Sequence, residues 1–282
     1  MQSKESISVV IPTYNRANDL IAAIKSVLAQ TYPVTEIVVC DDGSSDNSKK
    51  LVAALNNPVI KWIDCGTNGR PAIPRNTGIQ QSKGNWVAFL DSDDSWAPQK
   101  IEQQINAIHK FNLKAACTNA VRIRNGEERG AYVNYGKEIV KLPDLMIQNS
   151  IICSSVIINK DLLLNTSLFP TERRLVAEDY ALWLRIATQT DFVFLNENLV
   201  NYSDNFETSV RSQYKGDNWD MFKIIFSDFK DWMKSKNIVL SKFEKQALKK
   251  QVRKIEHKGI PTAWEEFERK FRDKFGLNKE NN

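Results

Sequence analysis

Short apolar runs alternate with amphipathic stretches between residue 7 and about residue 124. Runs rich in β-branched residues predict buried strands at residues 7–11, 36–40, 59–63, 86–90 and 115–123. Apolar residues at helical spacing predict helices at residues 18–30, 45–55, 74–81 and 95–111. Strands that alternate with helices are typical of βαβ units, so we predict an α/β fold with a mostly parallel central sheet flanked by helices.

The remainder of the chain has a different pattern. Residues 126–202 mix short strands and helices, and the clearest helix is predicted at residues 179–190. The last quarter is helical and carries two apolar stripes, formed by Phe222, Ile225, Phe226, Phe229 and Met233 and by Trp264, Phe267, Phe271 and Phe275. Both burial in a core and contact with a membrane interface fit such stripes. We predict a main domain over residues 1–210 and a helical C-terminal extension over residues 211–282.

Basic residues are concentrated in that extension. It holds 18 Lys and Arg against 11 Asp and Glu, whereas the rest of the chain holds 21 against 23, for a total net charge of +5. A solvated helix face and a contact surface for an anionic membrane both fit this excess. Nucleic acid is not an expected partner, because the acidic clusters of the main domain would repel its phosphates.

The N-terminus and the cysteines indicate the compartment. The first six residues are polar and the apolar run after them is short, so we expect neither a signal peptide nor a spanning helix. No two of the four cysteines form a C-x-x-C pair, which predicts reduced core residues rather than a zinc site or disulfides. These cysteines are Cys40, Cys65, Cys117 and Cys153. The expected location is the cytoplasm.

Three carboxylates follow the strand predicted at residues 86–90, namely Asp91, Asp93 and Asp94. They would lie at the carboxyl edge of the sheet, where open α/β sheets bind ligands. Like charges this close repel unless a cation lies between them, and hard divalent cations bind carboxylate and phosphate oxygens. A helix N-terminus also favours acidic residues, but a single cap needs one acid. The pattern therefore favours a metal ion that carries a diphosphate.

A second acidic pair, Asp41 and Asp42, ends the strand predicted at residues 36–40. Turn and N-cap chemistry explains such a pair on its own. Neighbouring parallel strands would nevertheless bring both clusters to one edge, where one binds a metal and the other a base or a ribose. The sequence contains neither a dinucleotide G-x-G-x-x-G after the first strand nor a P-loop. The cation and a side chain such as Arg70 or Arg75 would then neutralise the diphosphate.

Five motifs resemble, in order and spacing, the family-2 glycosyltransferases of GT-A fold. They are VVIPTYNR at residues 9–16, DDGS at 41–44, RNTGI at 75–79, FLDSDD at 89–94 and AEDYALWLR at 177–185. The resemblance covers about residues 5–205. It implies a GT-A catalytic domain over residues 1–210, with a nucleotide-binding half (1–124) and an acceptor-side half (125–210).

The resemblance also implies an inverting, metal-dependent enzyme that moves a sugar from a nucleotide-diphosphate sugar, of which a UDP-sugar is the expected type, to a hydroxyl of a glycan or lipid-linked glycan. Mn²⁺ or Mg²⁺ would bind the acids of the D-x-D run, with Asp93 preferred over Asp91 and Asp94. The nucleotide would contact Pro12, Thr13, Tyr14, Arg16, Asp41, Asp42, Arg75, Asp91 and Ser92. Within this set, Thr13 and Tyr14 would line the base and Asp42 would accept the N–H of a uracil-like ring.

Direct displacement with inversion needs a base on the face opposite the leaving diphosphate. The resemblance implies that Asp179 occupies the position of this base and that Glu178 beside it completes the catalytic pair. Both acids open a predicted helix, where charge–dipole attraction alone would favour them and would keep a carboxylate ionised. Many relatives also carry a histidine after the last catalytic-domain strand, whereas residues 202–207 (YSDNFE) have none. The acids alone, or Asp204 or Asn205, would then complete metal binding.

Two other functions fit part of this pattern. One is a nucleotide-sugar-binding module without turnover, and the other is a sugar-phosphate nucleotidyltransferase, which a first-strand loop without glycine disfavours. The resemblance favours synthesis of a surface polysaccharide or glycolipid. The basic extension is then a candidate for peripheral contact with the inner face of the membrane, where a lipid-linked acceptor would lie.

Overall fold

The computed structural model describes residues 5–172, 175, 177–205 and 217–258. The strands within these residues are β1 (Ile7–Thr13), β2 (Glu36–Asp41), β3 (Ile60–Asp64), β4 (Trp86–Phe89), β5 (Ser95–Trp96), β6 (Ala115–Arg124), β7 (Glu127–Ala131), β8 (Ile139–Val140), β9 (Ile157–Asn159) and β10 (Phe192–Ser203). The helices are α1 (Ala17–Leu28), α2 (Ser48–Ala54), α3 (Ala72–Gln81), α4 (Lys100–Phe111), α5 (Leu142–Ile147), α6 (Lys160–Asn165), α7 (Glu178–Ile186), α8 (Asn218–Ser235) and α9 (Lys242–Glu256).

The strands form one sheet in the order β3-β2-β1-β4-β9-β6-β10-β5, with β7 paired to β6 and β8 to β10. The first four strands in this order run parallel, as do β6 and β10. Strand β9 is antiparallel to both β4 and β6 and joins the two parallel parts. The predicted α/β fold with a central sheet flanked by helices is confirmed.

Two apolar layers cover the two faces of the sheet. Alternate residues of β1 divide between them. Val10 belongs to the apolar cluster that contains residues of α3, α5 and α7, whereas Val9 and Ile11 belong to the cluster that contains residues of α1 and α4. Helix α3 approaches β1 closely at Gly78, where a Cβ atom would lie 2.5 Å from Cγ1 of Val10. This close contact between α3 and β1 therefore requires a glycine. The contact also places Arg75, which is in the same helix, at the carboxyl edge of the sheet.

Helices α8 and α9 pack on the main domain and share its core. The predicted stripe of α8 is buried, since Ile225, Phe226 and Phe229 belong to the apolar layer that contains α7. A buried ion pair adds to this contact, with Arg185 Nη2 of α7 2.6 Å from Asp228 Oδ2 of α8. The first stripe is thus a core face. The second, formed by Trp264, Phe267, Phe271 and Phe275, lies outside the described residues.

The structure differs from the predicted elements at two helices. The helix predicted at residues 95–111 begins only at Lys100, because Ser95–Trp96 forms strand β5 against β10. The helix predicted at residues 179–190 is Glu178–Ile186. The other predicted elements of residues 7–124 are present, with ends shifted by no more than three residues. No helix in the described parts of the chain is both long and apolar enough to cross a bilayer.

All four cysteines are free thiols, as predicted. Cys40, Cys117 and Cys153 are buried, and Cys65 is partly exposed. Burial raises the pKa of Cys117 and that of Cys153, so both thiols stay protonated near neutral pH.

Candidate active site

A cavity of about 510 Å³ opens at the carboxyl edge of β1, β2 and β4. It brings together twelve of the thirteen residues predicted for the site: Pro12, Thr13, Tyr14, Arg16, Asp42, Arg75, Asp91, Ser92, Asp93, Asp94, Glu178 and Asp179. The thirteenth, Asp41, does not line the cavity, and its carboxylate instead accepts the backbone N–H of Ser44 at 3.1 Å. Asp41 therefore shapes the turn after β2.

Asp42 lies at the cavity wall and closes the loop that follows β3. Its Oδ1 accepts the backbone N–H and the side-chain amide of Asn68, both at 2.8 Å, and its Oδ2 accepts the backbone N–H of Gly69 at 2.8 Å. Since each carboxylate oxygen accepts two hydrogen bonds, Oδ2 keeps one acceptor site. The same loop is tied across the cavity by Arg70, whose Nη1 donates to the carbonyl of Leu175 at 2.9 Å.

Arg75 lies between the two groups of acids. Its Nη2 donates to Asp91 Oδ1 at 2.6 Å and its Nη1 donates to Glu178 Oε1 at 2.8 Å, while the guanidinium packs 5.3 Å from the ring centre of Phe169. The side chain is only 5% exposed. Both pairs are charge-assisted, which makes them strong and directional. Arg75 thus connects the end of β4 with the first turn of α7.

The acids after β4 have different surroundings. Both carboxylate oxygens of Asp94 accept protein hydrogen bonds, from the hydroxyl of Ser154 at 2.5 Å and from the backbone N–H of Ser203 at 2.8 Å. The backbone N–H of Asp91 donates to the same Ser154 hydroxyl at 3.0 Å. Asp94 and Ser154 therefore hold the acidic turn against β10. Nothing in the pattern around Ser154 indicated this role, because the contact forms only when the turn at residues 153–155 reaches the sheet edge.

Asp91 and Asp93 keep partly exposed carboxylates, with side chains 30% and 25% exposed. Asp93 forms an ion pair with Arg16. Burial raises the pKa of Asp93, Arg16 opposes the rise and the charge of Asp91 adds to it. Burial and the charges of Asp93 and Asp91 likewise raise the pKa of Asp94.

The same three acids can be tested as metal ligands. A divalent cation would relieve the repulsion among them. The partly exposed carboxylates of Asp91 and Asp93 each have one oxygen paired with an arginine, and the other oxygen is a hard donor of the type that Mn²⁺ and Mg²⁺ prefer. Asp94 fits this role less well, because it is only 4% exposed and each of its oxygens already accepts a hydrogen bond from the protein. Within the described residues, no three His, Cys, Asp and Glu side chains are grouped as a complete metal site. A bound diphosphate would supply the remaining oxygen ligands of the metal ion.

The first turn of α7 carries the predicted catalytic pair. Glu178 is 8% exposed and held by Arg75, and burial together with the charge of Asp179 raises the pKa of Glu178. Asp179 is partly exposed and lines the cavity, where its Oδ1 accepts the backbone N–H of Tyr180 at 2.7 Å. Its carboxylate is therefore oriented with Oδ2 available to a ligand.

Both histidines lie away from the cavity, since His109 contacts Glu5 at 2.9 Å and His257 ends α9. Asn205 lines the cavity, whereas Asp204 pairs with Arg124 at 2.7 Å. The cavity is also lined by residues that the sequence does not predict for the site, and four of them are Tyr132, Ile151, Ile152 and Tyr202. They come from the segments after β7, after α5 and in β10, whose arrangement depends on contacts distant in sequence.

This combination defines a class of protein. A sheet edge that gathers an acid after β2, a D-x-D run after β4 and a helix-borne carboxylate into one cavity is typical of an enzyme that acts on a nucleotide-diphosphate sugar. The chain belongs to glycosyl transferase family 2, whose pattern residues 8–158 match. The glycosyltransferase identity predicted from the five motifs is confirmed.

Relatives and solved structures agree with this assignment. The glucosyltransferase WfgD of Escherichia coli, named for transfer from UDP-Glc to alpha-D-GlcNAc-diphosphoundecaprenol, is 35% identical over 67% of this chain and 73% of its own length. Staphylococcus aureus TarS, solved with UDP-GlcNAc, has a TM-score of 0.73 at 23% identity over 88% of this chain and 71% of its own. A mannosyltransferase from Pyrobaculum calidifontis, solved with GDP-Man and Mn²⁺, has a TM-score of 0.59 at 15% identity over 89% and 80%. The predicted GT-A fold is confirmed.

Proposed function

We propose that this glycosyltransferase transfers a sugar with inversion from a UDP-sugar to an acceptor hydroxyl, and that Asp179 is the catalytic base. The observation that supports the proposal best is that one cavity contains Asp42, the acids after β4 and Asp179. The name of WfgD and the UDP-GlcNAc complex of TarS support the choice of a UDP-sugar.

In the proposed reaction, the acceptor oxygen attacks the anomeric carbon while the bond from that carbon to the diphosphate oxygen breaks. The acceptor proton passes to Oδ2 of Asp179, and the electron pair of the broken bond leaves with the diphosphate. The hydrogen bond from the N–H of Tyr180 to Oδ1 keeps the carboxylate in one orientation. A single displacement of this kind inverts the anomeric centre and needs no covalent enzyme intermediate.

The nucleotide would lie along the β1–β2 side of the cavity. Thr13 supports this placement, because its hydroxyl oxygen is buried and lacks a hydrogen-bond partner among the described residues. Tyr14, with a side chain 54% exposed, offers a ring to the base, and Oδ2 of Asp42 keeps an acceptor site for a base N–H. Arg75 would act on the diphosphate only indirectly, because Asp91 and Glu178 already hold its guanidinium.

Asp93 and Asp91 would hold Mn²⁺ or Mg²⁺. Such an ion, when bound, stabilises the charge that develops on the leaving diphosphate. Asp94 would act as a support of the acidic turn. Arg16 would accompany the diphosphate, since it already lies against Asp93 at the cavity wall.

The substitution Asp179→Asn tests the assignment of the base. It keeps the size of the side chain but removes the proton acceptor, so we expect kcat to fall by about 10²- to 10⁴-fold while UDP-sugar affinity in calorimetry stays the same. Asp231, exposed on α8, provides the matched control Asp231→Asn, for which full activity is expected. Undiminished turnover in Asp179→Asn would remove Asp179 from the mechanism.

Metal dependence is tested with the wild-type enzyme and two variants. We expect EDTA to abolish transfer and Mn²⁺ or Mg²⁺ to restore it. Asp93→Asn should raise the metal concentration needed for half-maximal rate because it removes a charged ligand. Ser154→Ala should raise the same concentration by about 10- to 100-fold, because Ser154 positions the turn that carries the metal-binding acids. Full activity after exhaustive chelation would contradict the proposal.

We also propose that the acceptor is a lipid-linked glycan and that the protein contacts the membrane peripherally through its C-terminal helices. The acceptor in the name of WfgD, a sugar on diphosphoundecaprenol, supports this acceptor class. A lipid-linked acceptor stays at the membrane surface, so an enzyme that binds that surface meets its substrate more often.

A further inference from the structure

Two tyrosines form an aromatic pair at one end of the cavity. In the strand order of the sheet, this end is distant from Asp42. The ring centres of Tyr132 and Tyr202 are 5.6 Å apart and the ring planes meet at 75°, an edge-to-face arrangement. Both residues line the cavity. None of the five sequence motifs contains either residue.

Strand β6 anchors both tyrosines from its two sides. Tyr132 follows β7, and its backbone N–H donates to the carbonyl of Ala120 at 2.7 Å. Tyr202 belongs to β10 and lies opposite Arg122 in the parallel register. The next residue, Ser203, donates its N–H to Asp94 at 2.8 Å. The position of the aromatic pair is therefore fixed relative to the acidic turn.

The chemistry of this end of the cavity is mixed. Ile152 belongs to the apolar cluster against which both tyrosines pack, and Ile151 and the polar Asn205 also line the cavity. A pyranose presents the same mixture, because one face carries C–H groups and the rim carries hydroxyls. The negative face of an aromatic ring attracts such C–H groups by the electrostatics that favour edge-to-face ring pairs.

The sheet order separates this end from the nucleotide side. Residues at the ends of β2 and β1 lie on the proposed base side, and β4 ends in the acids. The tyrosines lie after β7 and in β10, the two strands that pair with β6. Given the proposed function, on which the inference rests, the donor nucleotide fills the β1–β2 side. We infer that Tyr132 and Tyr202 form the acceptor subsite, where the sugar ring that bears the attacking hydroxyl stacks.

The substitutions Tyr132→Leu and Tyr202→Leu test this subsite. Leucine keeps apolar volume for the partly buried base of each side chain but removes the aromatic face. With UDP-glucose as donor and N-acetylglucosaminyl diphosphate on a short alkyl chain as acceptor, we expect the acceptor KM to rise roughly tenfold in each variant. The donor KM and the slow hydrolysis of UDP-glucose without acceptor should remain unchanged.

Two further variants separate stacking from stability. Tyr132→Phe and Tyr202→Phe keep the rings, so their acceptor KM should stay within about threefold of wild type. Tyr135→Leu is the matched control, because Tyr135 forms a ring pair with Phe194 at 5.1 Å and does not line the cavity. It should leave the acceptor KM unchanged even where it lowers the melting temperature.

The outcomes distinguish the inference from the function on which it rests. An unchanged acceptor KM in both leucine variants, or a rise in donor KM alone, would overturn the acceptor subsite while leaving the glycosyltransferase reaction intact. If the wild-type enzyme transferred sugar to no member of a panel of alkyl glycosides and alkyl-diphosphate sugars, the proposed function would fail, and the acceptor subsite with it.

Discussion

Lys100 is fully buried in α4, at 0% exposure. Its ammonium donates to Gln104 Oε1 at 2.8 Å and lies 4.0 Å from the ring centre of Trp96. Burial lowers the pKa of Lys100 well below its ordinary value of 10.5. Between the lowered pKa and 10.5, the unfolded chain binds more protons than the native protein at this site. Stability contributed by this site therefore rises with pH through that interval.

Lys100→Met removes this pH dependence. We expect the difference in free energy of unfolding, wild type minus variant, to increase with pH by up to about 1.4 kcal/mol per pH unit below pH 10.5. Urea unfolding at several pH values from neutral upward measures it. Lys110→Met, at an exposed position of the same helix, is the matched control. Parallel pH curves for wild type and Lys100→Met would contradict the prediction.

At the scale of single residues, the sequence predicts which side chains line the cavity but not which partners hold those side chains in place. The acids at strand ends are recognisable because parallel strands share one edge, and twelve of the thirteen predicted site residues line one cavity. From the sequence, Arg75 is expected to neutralise the diphosphate, whereas in the structure its guanidinium is bound to Asp91 and Glu178. Partners 16 and 103 residues away in sequence cannot be inferred from local pattern.

Helix α7 is held at both ends by buried arginine–carboxylate pairs. Arg75 binds Glu178 at its start, and Arg185 near its end binds Asp228 of α8. The guanidinium of Arg185 also lies 5.7 Å from the ring centre of Trp232. Because Asp179 is in the first turn of this helix, α8 helps to set the position of the proposed base.

Asp228→Asn should therefore destabilise the protein strongly. It leaves the buried Arg185 without a charged partner, and the free energy of unfolding should fall by about 3–5 kcal/mol. Urea unfolding measures the loss, and Glu127→Gln, which breaks the exposed pair with Arg129, should cost less than about 1 kcal/mol. The double variant Arg185→Met with Asp228→Leu should recover most of the loss. A change below 1 kcal/mol in Asp228→Asn would contradict a supporting role for the pair.

The sequence predicted long elements better than short ones, for a physical reason. Strands such as Ile7–Thr13 are buried at every position and consist mostly of apolar residues, which is recognisable from the local sequence. The two-residue strand Ser95–Trp96 exists only through pairing with Asn201 and Val200 of β10, so its sequence reads as the start of the next helix. The same holds for the short strands after residue 125.

Over the whole molecule, the distribution of charge and exposed apolar surface makes α9 the best candidate for the proposed membrane contact. Its exposed side bears the basic residues Lys242, Lys245, Lys249, Lys250, Arg253 and Lys254. Phe243 in its first turn is 69% exposed and Val239 just before it is 83% exposed. Exposed apolar side chains among basic ones are typical of helices that lie on anionic membranes. The deletion of residues from 211 onward would remove core residues such as Phe229, so surface substitutions are the sharper test.

The full chain should co-sediment with vesicles of phosphatidylglycerol and phosphatidylethanolamine, and less with phosphatidylcholine alone. Each basic residue near an anionic surface contributes about 1 kcal/mol, so Lys242→Gln with Lys245→Gln should weaken binding roughly thirtyfold. Phe243→Ser should weaken binding to the same vesicles at high salt, where charge attraction is screened. Lys49→Gln with Lys50→Gln, on exposed positions of α2, removes the same charge elsewhere. Equal losses in both lysine pairs would show that net charge alone drives binding, and no binding by the wild-type chain would exclude the membrane contact altogether.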